Sequence, residues 1–348
     1  MRVVVTGATG NAGTSVVRAL AADRTVGDVI GVARRLPGLH VPGVRWAAAD
    51  IDPGRAELTD LFEGADAVVH LAWKFQPTHD PVTTWRTNVL GSIRVFEACA
   101  RAGVGVLVHA SSVGAYSPGP ADGRPVDESW PTHGWPGAAY TREKAYLERY
   151  LDGFQFAHPG IRVVRMRPAF LFKEESASEQ RRIFAGPLLP WRLMRPGLLP
   201  ALPAVSGLRF QALHTDDAAQ AYRAAVVRPV RGPFNLVADP VLDTAALAAI
   251  LHARTVPLPA GAARAALAAA WRMHLVPAAP GLLDAVLRLP LLDAGRARDV
   301  LDWAPSATAT QAVAEFLSGL HRGLGADTPP LAASGAGTGR SSSAGGAP

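Results

Sequence analysis

Cysteine is nearly absent from this 348-residue sequence, which contains only Cys99. A single cysteine excludes a disulfide framework and a cysteine-based zinc site within one chain. Lysine is scarce as well, because Lys74, Lys144 and Lys173 are the only lysines among 35 basic residues. The net charge of +6 is therefore carried by scattered arginines. Because nucleic-acid-binding surfaces need clustered charge, we expect no nucleic-acid partner.

The sequence also lacks an uninterrupted apolar run of membrane-spanning length. The apolar segment 260–289 is broken by Arg264, Arg272, Asp284 and several prolines, so no membrane span is expected. The first seven residues have the pattern of a strand and a turn, not that of a signal peptide. We therefore predict a cytoplasmic protein, and its 49% hydrophobic composition allows a sizeable core.

Short apolar segments alternate with helical patterns through the first half of the chain. Continuous apolar strands between helices are typical of a parallel sheet covered on both faces. We predict an α/β fold, a doubly wound parallel Rossmann-type sheet with a smaller, mostly helical C-terminal substrate domain. The predicted strands are 3–6, 29–33, 44–48, 67–71, 104–111 and 161–167, and the predicted helices of this half are 12–22, 58–62, 82–102 and 137–152.

The domain boundaries follow the loss of periodicity after Pro168. Residues 1–172 are predicted to form the dinucleotide-binding domain, to which a strand–helix segment near 207–240 returns. Residues 173–323 are predicted to bind the substrate. Residues 324–348 consist mainly of Ala, Gly, Ser, Thr and Pro, so we predict a disordered tail.

A glycine-rich segment, TGATGNAG, occupies residues 6–13 between the first predicted strand and helix. Glycines there let a pyrophosphate approach the backbone, and the N–H groups and dipole of the helix N-terminus attract its charge. The spacing is GxxGxxG and differs from the common GxGxxG fingerprint. The candidate cofactor contacts in this loop are Gly7, Thr9, Gly10, Asn11, Ala12 and Gly13.

The end of the second predicted strand indicates which dinucleotide is bound. Ala33 stands where an NAD-binding protein places an acid, and Arg34 and Arg35 follow it. Two guanidinium groups can clamp a 2′-phosphate, so we favour NADP over NAD. The alternative is a solvated arginine pair. Asp50, at the end of the third strand, either accepts a hydrogen bond from the adenine amino group or caps the next segment.

Three residues form a candidate catalytic set. Tyr140 and Lys144 are one turn apart on the same face of a predicted helix. A phenol with its ordinary pKa of ~10 is a poor acid–base group at neutral pH, and a nearby ammonium lowers that pKa. Ser112 ends the fifth predicted strand, where ligands bind in an open parallel sheet. Its hydroxyl either orients a substrate oxygen or caps a turn.

In this order, the motifs resemble an extended short-chain dehydrogenase/reductase of the NAD-dependent epimerase/dehydratase family. The resemblance covers residues 1–323. The matching motifs are TGATGNAG at 6–13, Asp50-Ile51, His70-Leu71-Ala72, 88–92, Ser111-Ser112 with Tyr116, Tyr140 with Lys144, Arg167-Pro168, 214–217, 232–235, and 293–303 with Pro305.

The resemblance assigns roles to these residues. It implies that Tyr140 is the acid/base, that Lys144 holds the nicotinamide ribose and tunes Tyr140, and that Ser112 orients the substrate. It also implies a homodimer through helices 82–102 and 137–152. Further cofactor contacts implied by the resemblance are Asp50, Ile51, Leu71, Ala72, Trp73, Asn88 and Pro168.

Departures from the family pattern narrow the expected reaction. Val113 and Gly114 stand where 4,6-dehydratases of the family carry an Asp-Glu pair, so dehydration is not expected. Phe210 replaces the diphosphate-binding arginine expected four residues before the family's HxxD motif, and Arg209 lies one place away. We expect His70 and His109 to be hydrogen-bonded core histidines.

We therefore predict an oxidoreductase that transfers a hydride between NADP or NAD and a carbonyl or secondary alcohol carbon of a small molecule, without a metal. One alternative is a nucleotide-sugar 4-epimerase with tightly bound NAD, because the same three residues can oxidise and re-reduce one carbon. The other is a non-catalytic dinucleotide-sensing scaffold. The intact set of Ser112, Tyr140 and Lys144 argues against this scaffold.

Overall fold

The computed structural model describes residues 1–55, 57–76, 78–186 and 196–333. Within them, strands and helices alternate as far as residue 168, except that the strands 28–33 and 44–48 follow one another without a helix between them. The strands are β1 (Arg2–Thr6), β2 (Asp28–Ala33), β3 (Val44–Ala48), β4 (Ala67–His70), β5 (Val106–Ala110), β6 (Arg162–Pro168), β7 (Phe170–Phe172), β8 (Ala201–Val205), β9 (Arg209–His214), β10 (Gly232–Leu236), β11 (Ala238–Asp243) and β12 (Arg254–Leu258). The helices are α1 (Asn11–Ala21), α2 (Thr59–Phe62), α3 (Pro81–Trp85), α4 (Gly91–Arg101), α5 (Ala139–Ala157), α6 (Ala177–Gln180), α7 (Thr215–Val227), α8 (Thr244–Leu251), α9 (Ala260–Arg272), α10 (Pro280–Val286), α11 (Gly295–Leu301) and α12 (Ala309–Arg322).

The central sheet has seven parallel strands in the order β10-β6-β5-β4-β1-β2-β3. The strand order changes direction between β1 and β4, and the carboxyl ends of these two strands open a crevice at that point. This architecture confirms the predicted doubly wound, Rossmann-type fold. Every strand boundary predicted in the first half lies within two residues of the observed one.

The sheet is buried on both faces. Alternate residues of β1 point to opposite sides, because side chains alternate along a strand. Val3 and Val5 join the core that contains Tyr222 of α7. Val4 joins the opposite core, which contains Phe96 of α4 and Leu147 of α5. Such two-sided burial explains why the strands are continuous apolar runs.

The second half of the chain contains more strand than predicted. A three-stranded sheet has the order β11-β9-β7, and β12 pairs with β8. Of the segment 207–240, only β10 joins the central sheet, because β9 pairs with β7 and β11. These strands are short, and Pro203 and Pro257 interrupt two of them. Proline in a strand weakens its sequence signal.

The predicted helix 82–102 consists of three pieces. A π-helical turn, Arg86–Leu90, connects α3 to α4. This turn contains Asn88, and π-bulges occur frequently at functional sites. Among the described residues, no helix has the length and apolar character required to span a bilayer.

The predicted disordered tail begins too early. Residues 324–333 are ordered, and the side chain of Leu331 is fully buried. The backbone N–H of Ala326 donates to the carbonyl of Leu331 at 2.8 Å and closes a turn. Composition alone predicts disorder because it carries no information about contacts with the rest of the chain. Residues 334–348 lie outside the described part of the chain.

Candidate active site

The three predicted catalytic residues meet at the carboxyl end of the central sheet. Ser112 follows β5, Tyr140 lies in the first turn of α5, and Lys144 is one turn further along. The hydroxyl of Ser112 lies beside the Tyr140 phenol. Ser112 also accepts a hydrogen bond from the backbone N–H of Gly114 at 3.0 Å. The Ser112 hydroxyl therefore caps the turn while it lies beside the phenol, in the position expected for the group that orients a substrate oxygen.

Burial, and not the Lys144 ammonium, dominates the pKa of Tyr140 in this arrangement. Burial raises the pKa of Tyr140 to about 12; the Ser112 hydroxyl acts in the opposite direction, and the charge of Glu143 adds to the rise. The Lys144 ammonium donates to the carbonyl of Ala110 at 2.6 Å and lies 3.5 Å from the Trp73 ring centroid. It is 6.0 Å from the Tyr140 ring centroid. The Ala110 carbonyl and the Trp73 indole ring thus hold the Lys144 ammonium in place.

Burial also changes the acidity of Lys144 itself. It lowers the pKa of the Lys144 ammonium to about 7, although Glu143 and Glu148 act in the opposite direction. Lys144 therefore changes charge near neutral pH. When charged, it is the group available to favour the phenolate of Tyr140.

Asn88 and Glu143 hold the loop that follows β4. The Asn88 amide donates to the Lys74 carbonyl at 2.8 Å and to the Glu143 carboxylate at 2.7 Å, and its oxygen accepts from the Lys74 N–H at 2.7 Å. Thr84 also donates to Glu143 at 2.7 Å. Asn88 thus positions the loop beside α5. Sequence reasoning missed Glu143, although an acid between Tyr140 and Lys144 is a readable signal.

Aromatic rings surround the Tyr140 phenol. The Trp73 ring meets it edge-on at 5.6 Å, and the Phe75 ring stacks on it at 5.4 Å. Phe184 contacts Phe75 in turn, at 5.5 Å. We refer to Trp73, Phe75 and Phe184 as the aromatic wall. Of these three rings, only Trp73 was named from the sequence, as a cofactor contact; the proximity of Phe75 and Phe184 depends on tertiary packing.

The glycine loop packs directly against the end of β4. A Cβ on Gly7 would lie 2.5 Å from the backbone nitrogen of Ala72, and one on Gly13 would lie 2.2 Å from the Gly7 carbonyl oxygen. These glycines are therefore required for close approach of the backbones. The carboxylate of Glu179 lies close to the backbone N–H of Asn11, at the start of α1. The N–H groups at this helix N-terminus fit the pyrophosphate of a dinucleotide.

The remaining predicted cofactor contacts lie at the same edge of the sheet. Arg34 and Arg35 are exposed directly after β2, and Pro168 ends β6. Asp50 accepts a hydrogen bond from the N–H of Asp52 at 3.1 Å, which favours its turn-capping alternative. The same edge carries the rest of the set, which comprises Thr9, Gly10, Asn11 and Ala12 of the glycine loop together with Ile51, Leu71 and Ala72. The described residues contain no cluster of three or more side chains arranged to bind a metal.

The two buried histidines differ in their hydrogen bonding. His70 is bonded to the hydroxyls of Thr6 at 2.6 Å and Ser92 at 2.8 Å, as expected. The prediction for His109 is wrong, because neither ring nitrogen has a hydrogen-bond partner in the described part of the chain. Its ring stacks on His70 at 5.6 Å. Burial holds the pKa of His109 well below its usual value, so the ring is neutral.

Gly114 is packed against the Tyr140 ring, and this contact makes a testable prediction. A Cβ at Gly114 would lie 2.8 Å from Cε1 of Tyr140. We expect Gly114→Ala to reduce the free energy of unfolding by about 1–3 kcal/mol, because overpacking displaces the ring. Gly153→Ala, on the exposed side of α5 with no atom near the added Cβ, should instead stabilise the protein by about 0.5–1 kcal/mol.

Urea unfolding of both variants measures these effects. If Gly114→Ala leaves the free energy of unfolding at the wild-type value or increases it, the packing of Tyr140 described above is contradicted. The same contact explains the departure from the 4,6-dehydratase pattern, since an acidic side chain at position 114 would collide with the Tyr140 ring.

Comparison with known proteins gives one match to a family model and several partial relatives. The model of the NAD dependent epimerase/dehydratase family matches residues 3–236. An L-arabinose 1-dehydrogenase (NAD(P)(+)) of Haloferax volcanii is 37% identical over 111 residues, which are 32% of this chain and 41% of the relative. Sterol demethylase protein B of Methylococcus capsulatus is 32% identical over 172 residues, 49% of this chain and 51% of the relative. The chain spans about half the length of the curated relatives it matches.

Solved structures show the same fold. The UDP-glucose 4-epimerase of Thermus thermophilus, in complex with NAD, aligns with a TM-score of 0.68 and 20% identity, over 92% of this chain and 99% of that one. The dTDP-glucose 4,6-dehydratase DesIV of Streptomyces venezuelae, with NAD bound, aligns with a TM-score of 0.66 and 20% identity, over 92% and 97%. At this level of identity, the similarity extends to the fold.

Proposed function

Because the chain belongs to the NAD dependent epimerase/dehydratase family, we propose that it is an NADP(H)-preferring oxidoreductase. It transfers a hydride between the nicotinamide and the carbonyl or secondary alcohol carbon of an apolar small molecule. The observation that carries this proposal is the convergence of Ser112, Tyr140 and Lys144 beneath the aromatic wall. A scaffold that only senses dinucleotide does not need these residues together.

The cofactor supplies or accepts the hydride, and the chain's own residues handle the proton. In the reductive direction, the Tyr140 hydroxyl donates its proton to the substrate oxygen. The Ser112 hydroxyl holds that oxygen beside the phenol. A charged Lys144 stabilises the resulting phenolate. The fixed loop at Asn88 and Lys74 keeps the aromatic wall against Tyr140 and excludes water.

The aromatic wall supports an apolar substrate over a nucleotide sugar. The Arg209 guanidinium packs against Gly123, where an added Cβ would lie 2.8 Å from it. This position supports the view that Arg209 does not bind a diphosphate in the site. A sterol demethylase protein and an NAD(P)-dependent sugar dehydrogenase are among the relatives, and these names support a substrate without a nucleotide. The second candidate, a nucleotide-sugar 4-epimerase, is supported by relatives and structural neighbours that carry that name.

Exposed apolar side chains support the proposed homodimer. Val82, Leu90 and Tyr146 are 75%, 42% and 45% exposed, and they lie on α3, on the π-helical turn and on α5. A second copy of the chain would cover these side chains if helices 82–102 and 137–152 pair. The cytoplasmic location stays a prediction.

Arg34 and Arg35 test the preference for NADP. We expect the double variant Arg34→Ala/Arg35→Ala to bind NADPH about 10- to 100-fold more weakly, because it loses charge-assisted bonds to the 2′-phosphate that together contribute about 1.4–2.8 kcal/mol. NADH binding should be unchanged. Arg24→Ala is the control, since Arg24 is exposed beyond α1 at the opposite end of the sheet. Fluorescence titration measures both affinities, and equal losses for NADPH and NADH would contradict the proposal.

A further inference from the structure

Residues 324–333, which we call the C-terminal strap, lie on the glycine loop. The Thr328 hydroxyl donates to the carbonyl of Thr9 at 2.9 Å, and Thr328 is 3% exposed. The strap also reaches the loop that follows Arg34 and Arg35. A Cβ on Gly38 would lie 2.3 Å from a carboxylate oxygen of Asp327. The strap therefore covers the part of the crevice assigned above to the adenosine end of the dinucleotide.

Glu179, the third residue of α6, lies beside the N-terminus of α1, where the glycine loop would bind the pyrophosphate. Its half-buried carboxylate lies close to the backbone N–H of Asn11, and an N–H at this position is what a helix N-terminus offers a phosphate. Two cations lie close to Glu179, namely Lys173 and Arg182. Lys173 is fixed by the hydroxyls of Thr14 at 2.7 Å and Ser15 at 2.9 Å. Glu179 therefore lies beside a cluster of buried polar side chains, namely Lys173, Thr14 and Ser15.

The strap and Glu179 form one unit. Arg182, three residues after Glu179, donates to the carbonyls of Pro330 at 2.5 Å and Ala332 at 3.0 Å. Ser178, adjacent to Glu179, donates to the carbonyl of Leu324 at 2.7 Å. Both ends of the strap are thus bound to the segment that carries Glu179. Displacement of the strap removes contacts that hold this segment over α1.

The geometry points to an internal competitor for the dinucleotide. A carboxylate beside the Asn11 N–H competes with a phosphate oxygen for that donor, and like charges repel in a partly buried site. We propose that Glu179 and the C-terminal strap occupy the pyrophosphate and adenosine parts of the crevice, and that dinucleotide binding displaces them. This inference rests on the dinucleotide binding proposed above.

Two truncations of the full chain test the competition. A chain that ends at residue 323 lacks the strap, and a chain that ends at residue 333 keeps it and serves as the matched control. Fluorescence titration with NADPH should give about tenfold tighter binding for the shorter chain, because displaced contacts of about 1.4 kcal/mol correspond to a factor of ten. The control should bind like the full chain.

Point variants keep the test valid if the shorter truncation does not fold. Glu179→Gln removes the charge, and Thr328→Val removes the hydrogen bond to Thr9 while keeping the shape of the side chain. We expect each variant to bind NADPH about three- to tenfold more tightly. Amide hydrogen exchange provides a readout independent of affinity. The amides of Ala326 and Leu331, which close the strap, should exchange faster when NADPH is added.

The outcomes separate this inference from the proposed function. Equal NADPH affinity in all chains would overturn the competition and leave dinucleotide binding intact. If the truncated chain binds NADPH more weakly and the strap amides exchange more slowly when NADPH is added, the strap is a lid that closes over the dinucleotide. That outcome would also overturn the proposed competition. Absence of NADPH binding in every chain would contradict the proposed function and the inference together.

Discussion

Replacing Tyr140 with phenylalanine is expected to reduce turnover by about 10²–10⁴-fold, the range for loss of a positioned general acid or base. The substitution removes one oxygen and keeps the ring that packs between Trp73 and Phe75. The fold and the dinucleotide affinity should therefore change little. Only the proton transfer to or from the substrate oxygen is lost.

Single-turnover oxidation of NADPH, with a substrate identified from a panel of apolar ketones, measures this effect. Tyr146→Phe is the matched control, because Tyr146 lies on the same helix and is 45% exposed. The control should retain full activity. A Tyr140→Phe variant that turns over at the wild-type rate would show that another group carries the proton.

Glu148→Gln is expected to lower the free energy of unfolding by about 3–5 kcal/mol, the cost of breaking a buried ion pair from one side. The Glu148 side chain is 0% exposed and is paired with Arg165 at 3.0 Å and with Arg167 at 2.8 Å. It also accepts from the hydroxyl of Ser111 at 2.5 Å. The substitution leaves two nearly buried guanidinium groups without their shared counter-charge.

Urea unfolding provides the measurement, and Glu57→Gln provides the control. Glu57 pairs with Arg101 at 3.0 Å in an exposed position, so its substitution should change the free energy of unfolding much less than Glu148→Gln does. Similar losses for the two variants would contradict the central role of Glu148. Because Ser111 and Arg167 directly precede Ser112 and Pro168 in the chain, this ion-pair network fixes the ends of β5 and β6 that carry the site.

The same carboxylate makes stability dependent on pH. Burial acts to raise the pKa of Glu148, but the charges and hydrogen bonds of Arg167, with Arg165 and Ser111, lower it to about 2 from an ordinary value of 4.5. Since the folded pKa is the lower one, the contribution is complete above pH ~4.5 and is lost as the pH falls towards ~2. Glu148→Gln should therefore lose less stability than the wild type over this interval.

The sequence allowed the first half of the fold to be predicted because each buried parallel strand is a continuous apolar run. The positions of Ser112, Tyr140 and Lys144 followed from their places on those strands and helices. The short strands β7 and β8 escaped prediction, because three to five half-buried residues give no usable periodicity.

Other features depend on contacts between distant parts of the chain. The stacking of Phe75 on Tyr140 and the proximity of Glu179 to the Asn11 N–H join segments far apart in sequence. The strap was missed because its small residues have the composition of a disordered tail, although its polar contacts hold it in place. The spacing of Tyr140 and Lys144 does not reveal that the Lys144 ammonium lies over the Trp73 ring.

Titration of the purified chain with NADPH and NADH, followed by protein fluorescence, tests the central claim most directly. We predict saturable binding of both dinucleotides and tighter binding of NADPH, since only NADPH carries the 2′-phosphate that we propose Arg34 and Arg35 bind. Tighter binding of NADH, or a purified chain already filled with NAD, would contradict an NADP(H)-preferring oxidoreductase and favour the 4-epimerase.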